Sequence, residues 1–316
     1  MRTKILWVAM GIIAVVVLGA VLRATRVDNS GSPTAGEKVR VTASFYPMAE
    51  FARQVGGDKV EVSTLISPGV EPHDYDPTPQ DIAGVHKSRL FIYNGAGLEP
   101  WADRIGDDLA SGGVVVVNAS AGLDLMTKDA GTDGGSSGNN STFDPHVWLD
   151  PVLAGREVDN IKAGLIEADP QNQDFYENNA NAYKDKLADL DKAYRGGLAN
   201  CGRRDIVSSH QAFKYLAARY GLDVMAISGL SPDEEPSPQK LAEVAQFARD
   251  HGVRYIFFET LVSPKLSETI ASEVGAMTLV FNPLEGLTEE EISQGKDYLS
   301  VQRDNIANLR IALDCK

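Results

Sequence analysis

The stretch from Pro170 to Asn200 reads PQNQDFYENNANAYKDKLADLDKAYRGGLAN and decides the fold. Its apolar residues recur at intervals of three and four, the period of a helix with one buried face. These residues are Tyr176, Ala180, Tyr183, Leu187, Leu190, Tyr194 and Leu198. At about 1.5 Å per residue the helix would be roughly 45 Å long, enough to run along two lobes. We therefore predict a stiff linking helix over 170–200. A coiled-coil dimer is the less favoured alternative, because Asn179 and Asp191 are polar and the stretch contains few heptads.

On both sides of this helix, short apolar runs alternate with segments of helical spacing. The predicted strands are 39–45, 60–66, 90–93, 114–117, 205–208, 222–227, 255–258 and 278–281. Helices are predicted after Pro47, Pro77 and Leu98 and over 211–220, 238–251, 264–274 and 289–313. Such alternation is typical of parallel sheets covered on both faces. We predict an α/β protein with two parallel-sheet lobes, 39–169 and 201–316, joined by one long rigid helix.

The N-terminus carries an export signal or a membrane anchor. Residues 1–26 contain an uncharged apolar run from Ile5 to Leu22, closed by Arg23 and Arg26. A helix over this run would be roughly 27 Å long, so a cleaved signal peptide and a retained anchor both stay open. Residues 27–38 are polar and rich in Gly, Ser and Pro, which predicts a flexible spacer. Further along the chain, the low-complexity stretch 127–142 predicts a mobile loop.

The charge of the chain limits its partners. The net charge is −14, and it becomes −18 without the four basic residues of the first 26 positions. Nucleic acid is excluded as a partner, because its phosphates would be repelled by so acidic a surface. The charge instead favours a cationic ligand or a partner with a basic docking face.

The two cysteines, Cys201 and Cys315, are far apart and form no C-x-x-C motif. In an exported protein, such a pair most simply forms one disulfide. Two unpaired buried thiols are the alternative.

Three of the five histidines lie in polar, turn-like settings, together with one downstream carboxylate. They are His73 in EPHDYDPTP, His146 in DPHVWLDP and His210 in SSHQAF, and the carboxylate is Glu285 in NPLEGL. Three imidazole nitrogens and one carboxylate oxygen form a ligand set that suits tetrahedral Zn²⁺ at neutral pH. The sequence therefore predicts a metal site formed by His73, His146, His210 and Glu285.

The predicted positions of these residues favour a cleft between the lobes. His73, His210 and Glu285 follow predicted strands, and ligands of open α/β sheets collect at the carboxyl ends of the strands. A ligating imidazole usually donates its second N–H to a carboxylate or carbonyl. The available carboxylates, which we do not rank, are Asp74, Asp76, Asp144, Asp150 and Glu259. His86 and His251 are predicted at helix C-termini, where the helix dipole favours a partly positive imidazole.

Several motifs in order resemble the bacterial solute-binding receptors that deliver zinc or manganese to ABC importers. They are EPHDYDPTPQD, NGAGLEPW, DPHVWLDP, SSHQAFKYL and NPLEGL, and the resemblance covers essentially everything after residue 38. It implies two lobes joined by a single long helix, a metal bound between them, and delivery to a membrane permease. Carried over by position, the implied ligands are again His73, His146, His210 and Glu285.

The resemblance also bears on which metal is bound and on the class of protein. Manganese receptors of this family usually carry a carboxylate at the position of His210, so His210 favours Zn²⁺ over Mn²⁺. The expected protein is a monomeric, non-enzymatic receptor in the periplasm or on the outer face of the cell membrane. A secreted zinc hydrolase is the rival from another class, and it would need a vacant coordination position for water. A surface protein stabilised by a structural metal is a further alternative.

Overall fold

The computed structural model describes residues 37–128 and 142–316. The predicted signal peptide or anchor at 1–26, most of the predicted spacer at 27–38 and most of the predicted mobile loop at 127–142 lie outside the described residues. Among the helices of the two described ranges, none is long and apolar enough to cross a membrane.

The N-terminal lobe is built on a four-stranded parallel sheet with the order β2-β1-β3-β4. Its strands are β1 (Val39–Ala43), β2 (Val60–Thr64), β3 (Leu90–Tyr93) and β4 (Val115–Asn118), and its first helices are α1 (Tyr46–Gly56), α2 (Pro79–Val85) and α3 (Pro100–Ser111). All four residues of β3 are buried, as expected for a central strand covered on both faces. Each helix begins with a Pro at its first or second position, where the missing N–H costs nothing.

A helix that packs on the N-terminal sheet leads into the long helix that connects the lobes. Helix α4 (Pro151–Ala168) is followed by a 3-10 turn (Pro170–Asn172) and by the long helix α5 (Gln173–Gly197). The predicted apolar stripe of α5 is buried from Tyr176 to Tyr194. It packs on α1 and α4 and on the last helix of the chain, so the linking helix touches both halves of the molecule. Helix α4 is absent from our sequence prediction, although Asp150 and Pro151 form a regular N-terminal cap.

The C-terminal lobe repeats the architecture, with sheet order β6-β5-β7-β8 and parallel pairing throughout. Its strands are β5 (Asp205–Ser208), β6 (Asp223–Ala226), β7 (Tyr255–Phe258) and β8 (Met277–Val280). Its helices are α6 (Lys214–Tyr220), α7 (Pro238–Asp250), α8 (Lys265–Val274), α9 (Glu289–Ser293) and α10 (Tyr298–Ala312). The predicted class, two parallel-sheet α/β lobes joined by a long helix, is confirmed.

Two predicted helices differ from the structure. The single helix predicted over 289–313 is wrong: Gly295 takes a left-handed φ of 71°, and Asp297 caps a new helix, so α9 and α10 are separate. The helix predicted over 211–220 begins only at Lys214, and the segment before it is joined to the next loop by the backbone N–H of Gln211, which donates to the carbonyl of Gly229.

One hydrophobic core runs through both lobes and the helices between them. In this core the ring of Phe51 from α1 packs edge-on against Tyr298 from α10 and tilted against Tyr183 from α5. Cys201 and Cys315 are joined by a disulfide, as the sequence predicts, and it ties the segment after α5 to the C-terminus. The packing therefore fixes the two sheets with their carboxyl ends around a shared cleft.

Candidate metal centre

Four loops at the carboxyl ends of the strands carry the predicted metal ligands. His73 lies between β2 and α2, and His146 lies in the connection from β4 to α4. His210 follows β5, and Glu285 follows β8. Two ligands therefore come from each side of the cleft, and the structure brings all four together.

The four ligand atoms lie within 4.8 Å of one another. The Oε1 atom of Glu285 is 3.1 Å from Nε2 of His73, 3.2 Å from Nε2 of His146 and 3.1 Å from Nε2 of His210. The Nε2 atom of His146 is 3.2 Å from that of His73 and 3.3 Å from that of His210. Donors bound tetrahedrally to zinc at about 2.0–2.1 Å are separated by ~3.3 Å. The spacing therefore fits a single zinc ion.

His146 is oriented by Asp144. The Oδ1 atom of Asp144 lies 2.8 Å from Nδ1 of His146 and accepts the backbone N–H of the same residue at 2.9 Å. Both side chains are fully buried. Burial lowers the pKa of His146, but the neighbouring carboxylates of Asp144 and Glu285 outweigh it, so the pKa is raised overall. The hydrogen bond to Nδ1 leaves Nε2 facing the other ligands.

His210 has an equivalent partner in Glu259, which directly follows β7. The Oε1 atom of Glu259 lies 2.5 Å from Nδ1 of His210, and the hydroxyl of Ser209 donates to the same oxygen. Burial lowers the pKa of His210, yet Glu259 and Glu285 together raise it well above its usual value. Asp144 and Glu259 therefore hold two of the three imidazoles in the manner typical of metal-binding histidines.

Glu285 is presented by a constrained loop. Asn282 accepts the backbone N–H of Leu284 at 2.8 Å, and the indole of Trp148 donates to the carbonyl of Pro283 at 2.8 Å. Leu284 takes a left-handed φ of 57°, which is uncommon outside glycine and occurs at functional sites. Burial raises the pKa of Glu285, but His210 and the other two imidazoles reverse this and hold the pKa well below its usual value.

His73 is held differently from the other two histidines. Its Nε2 faces the ligand cluster, but no hydrogen bond to its Nδ1 exists among the described residues. Instead, both carboxylate oxygens of Glu71 accept the backbone N–H of His73, at 3.0 and 3.2 Å. Glu71 was not among the predicted site residues, although its position two residues before His73 in the EPH motif was an available signal.

The geometry does not support three of the carboxylates that we predicted behind the imidazoles. Asp74 and Asp76 have exposed side chains and contact none of the ligands. Asp150 is buried, but it caps α4 by accepting the N–H of Val152 and pairs with Arg219. By contrast, His86 and His251 cap the C-terminal ends of α2 and α7, as the sequence predicts.

Comparison with known proteins, like this geometry, indicates a zinc-binding protein. Residues 41–312 match the family model for the periplasmic component A of the zinc-uptake complex, ZnuA. The chain belongs to this family. The match spans both lobes and all four residues of the cluster.

Individual relatives are similar over nearly the whole chain. The high-affinity zinc uptake system protein ZnuA of Bacillus subtilis (strain 168) is 43% identical over 88% of each chain. The zinc-binding lipoprotein AdcA of Streptococcus pneumoniae (strain ATCC BAA-255 / R6) is 39% identical over 90% of this chain, which spans only 58% of that relative. The Zn(II)-bound ZnuA-like domain of Streptococcus pneumoniae AdcA superposes with a TM-score of 0.75 at 39% identity, covering 88% of this chain and 99% of that domain.

Proposed function

We propose that this protein is an extracytoplasmic receptor that binds one Zn²⁺ ion between its lobes and delivers it to an ABC-type importer in the membrane. The observation that carries the proposal is the convergence of His73, His146, His210 and Glu285, whose donor atoms lie within 4.8 Å of one another. Membership of a zinc-uptake family supports the same assignment.

The chemistry of the donors supports zinc rather than manganese. Imidazole nitrogen is a borderline donor that suits Zn²⁺, whereas Mn²⁺ prefers a larger number of oxygen ligands. The proposed set contains three nitrogens and one carboxylate, and Asp144 and Glu259 increase the basicity of two imidazoles. Three nitrogens and one oxygen match the tetrahedral ligand set of Zn²⁺ more closely than the octahedral oxygen shell that Mn²⁺ prefers.

The same ligand set argues against a secreted hydrolase. A catalytic zinc keeps one position open for water, and a general base must reach that water. In our proposal Glu285 fills the fourth position, and Glu259 is engaged by the imidazole of His210. We therefore assign the protein a binding role without catalysis.

The proposed partners and location follow from this role. We propose that a monomer acts outside the cytoplasm, either released into the periplasm or held at the outer face of the membrane by residues 1–26. The permease would then receive the ion directly from the cleft. Relatives described as periplasmic or as lipoproteins support an extracytoplasmic location.

The first test is metal binding by the purified protein, freed of metal by chelation. One equivalent of Zn²⁺ should bind, and excess Mn²⁺ should fail to displace it. The His210→Ala variant should lose zinc affinity by orders of magnitude with an unchanged circular dichroism spectrum, because a ligand is removed from a preformed fold. His251→Ala, which removes an imidazole outside the cluster, is the matched control.

Two results would contradict the proposal. One is an unchanged zinc affinity of His210→Ala, which would remove His210 from the site. The other is unfolding of the wild-type protein on removal of zinc, which would indicate a structural metal rather than a transported one. Delivery to the importer is tested separately, as accumulation of isotopically labelled zinc by cells that carry or lack the chain.

A further inference from the structure

The NGAGLEPW motif at 94–101 contains none of the proposed ligands, yet its backbone is strained. The motif follows β3 directly and leads into α3. Gly95, Ala96 and Gly97 take φ values of 80°, 51° and 89°, all in the left-handed region. Glycines adopt this region freely, whereas an alanine does so at a cost. Such strain persists only where the surrounding contacts enforce it, and it clusters at functional sites.

A buried carboxyl group enforces this backbone. The Oε1 atom of Glu99 accepts the N–H of Asn94 at 3.0 Å and the hydroxyl of Ser44 at 2.6 Å. Its Oε2 atom accepts the N–H of Gly95 at 3.0 Å. Glu99 is only 3% exposed, so releasing any of these donors would leave a buried polar group unpaired. Glu99 therefore fixes Asn94 at the carboxyl ends of β1 and β3.

The side chain of Asn94 reaches the turn that carries His146. Asn94 is fully buried, and its Nδ2 atom donates to the carbonyls of Pro145 and Gly95, each at 3.0 Å. Only the amide nitrogen can donate to two carbonyl oxygens, so these acceptors determine the orientation of the side chain. Asn94 therefore joins the edge of the N-terminal sheet to the residue before His146.

Pro145 closes the backbone turn centred on His146. Its carbonyl also accepts the N–H of Val147 at 2.8 Å, and His146 has a φ of −79° and a ψ of 40°. A hydrogen bond between residues two apart, with a central φ near −75°, is typical of an inverse γ-turn. The carbonyl of Pro145 thus uses one lone pair for the turn and the other for Asn94. Because the backbone of His146 sets where its ring begins, Asn94 helps to direct that ring to the metal centre.

We propose that the NGAGLEPW motif is a positioning element for the metal centre, in which Asn94 fixes the turn at His146 and Glu99 fixes Asn94. Asp144 orients the imidazole through Nδ1, whereas Asn94 holds the backbone from which the imidazole extends. Asn94 and Glu99 are positioning residues and not ligands. This inference rests on the proposed function, because it explains how the same site is preorganised for its ion.

The test compares zinc affinities, measured by competition with a chelator. Asn94→Ala should weaken zinc binding about tenfold, because a buried hydrogen bond that holds the turn is lost. Asn94→Asp keeps the shape but places an acceptor against two carbonyls, so its loss should be at least as large. Asn160→Ala is the matched control, since the amide of Asn160 also donates to two backbone carbonyls of the N-terminal lobe, those of Ala119 and Ala121. Its zinc affinity should stay within about twofold of wild type, as expected for an independent site.

Two further readouts separate positioning from general destabilisation. The visible absorption bands of Co²⁺, loaded in place of zinc, report the geometry of the ligands. They should change in Asn94→Ala and keep the wild-type form in Asn160→Ala. In hydrogen exchange of the zinc-free proteins, the amide of Val147 should exchange faster in Asn94→Ala, because its acceptor is less fixed. The amides of β5 should keep the wild-type rate.

A double variant tests whether Glu99 acts through Asn94. Glu99→Gln keeps the size of the side chain but turns an amide towards backbone N–H groups, so it should weaken zinc binding. If Glu99 acts through Asn94, Asn94→Ala/Glu99→Gln should bind zinc within about twofold of Asn94→Ala.

Three results would overturn the inference: an unchanged zinc affinity of Asn94→Ala, an equal loss in Asn160→Ala, or unchanged Co²⁺ bands in Asn94→Ala. Additive losses in the double variant would overturn the role of Glu99. Failure of the wild-type protein to bind zinc would overturn the proposed function as well, so the two failures are distinguishable.

Discussion

At the scale of single residues, zinc binding depends on carboxylates that never touch the ion. Asp144 and Glu259 each hold the outer nitrogen of one imidazole, at 2.8 and 2.5 Å, and turn the other nitrogen toward the cleft. Such partners fix the ring orientation and increase the basicity of the ligand. The orientation of His146 is therefore determined by Asp144, two residues before it in the chain.

Replacing Asp144 by Asn should weaken zinc binding by about 10- to 100-fold, because the amide removes the charge that supports His146. Competition with a chelator of known affinity measures the change. Asp74→Asn, at an exposed position one residue from His73, should leave the affinity within about twofold. Equal affinities of the two variants would show that Asp144 does not support the ligand.

These carboxylates also mark the limit of what the sequence could predict at this scale. The four ligands stand in polar, turn-like motifs, and their residue types alone indicate zinc. Their partners could not be ranked, because Asp144 and Asp150 both lie within four residues of His146 in sequence and carry the same carboxylate side chain. Only the tertiary structure decides that Asp144 faces the imidazole while Asp150 caps α4.

A second prediction concerns Glu157, a carboxyl group away from the metal centre. It is fully buried in α4, and neither of its oxygens has a hydrogen-bond partner among the described residues. Burial, with Glu99 and Asp150 nearby, raises its pKa well above the usual 4.5. Because the folded protein binds this proton more tightly than the unfolded chain, the stabilisation is complete below about pH 4.5 and is lost as pH rises towards the folded-state pKa.

Glu157→Gln should therefore become more stable relative to wild type as pH rises. At pH values between the unfolded-state and the folded-state pKa of Glu157, the unfolding free energy of Glu157→Gln minus that of wild type should grow by about 1.4 kcal/mol per pH unit. Urea unfolding at several pH values between 5 and 8 measures it. Glu167→Gln, at an exposed position of the same helix, should show no such trend, and an identical trend in both variants would contradict the assignment.

At the scale of elements, the long helix α5 sets the distance between the lobes. Its 25 residues bury one stripe against both halves of the molecule, and its opposite face is exposed. The three-and-four spacing of large apolar residues makes such a helix predictable from sequence. Short elements are less predictable: the boundary between α9 and α10 depends on Gly295 and Asp297 inside an otherwise helical pattern.

Ala188 lies on the exposed face in the middle of α5, which makes it a suitable position to test this helix. Ala188→Pro should lower the free energy of unfolding by about 3 kcal/mol or more, because the ring removes a backbone hydrogen bond and clashes with the preceding turn. Ala188→Gly, the milder control, should cost about 1 kcal/mol. Equal stabilities of the two variants in urea unfolding would indicate that the helix is not continuous there.

At the scale of the whole molecule, the disulfide and the metal centre lie at opposite ends of the C-terminal sheet. Cys201 precedes β5 and pairs with Cys315 near the C-terminus, whereas the ligands follow the carboxyl ends of the strands. The pair is separated by 114 residues in sequence. The disulfide therefore restricts the unfolded chain without contributing a group to the site.

Replacing both cysteines by serine should lower the free energy of unfolding by about 4 to 5 kcal/mol in the chain-entropy description of a loop this long. Zinc affinity should stay within about twofold, because the cluster is built from other loops. Denaturant unfolding and chelator competition on the same double variant measure both quantities. A large loss of zinc affinity in a double variant that is still folded would show that the disulfide contributes to the metal centre.

We propose that three imidazoles and one carboxylate bind a single zinc ion between the lobes. X-ray absorption at the zinc edge, on protein loaded with one equivalent, tests it most directly. We expect four nitrogen or oxygen ligands at about 2.0–2.1 Å, with the scattering of three imidazole rings, and the loss of one ring in His210→Ala. Sulfur at about 2.3 Å, a six-ligand oxygen shell, or an unchanged spectrum in His210→Ala would contradict it.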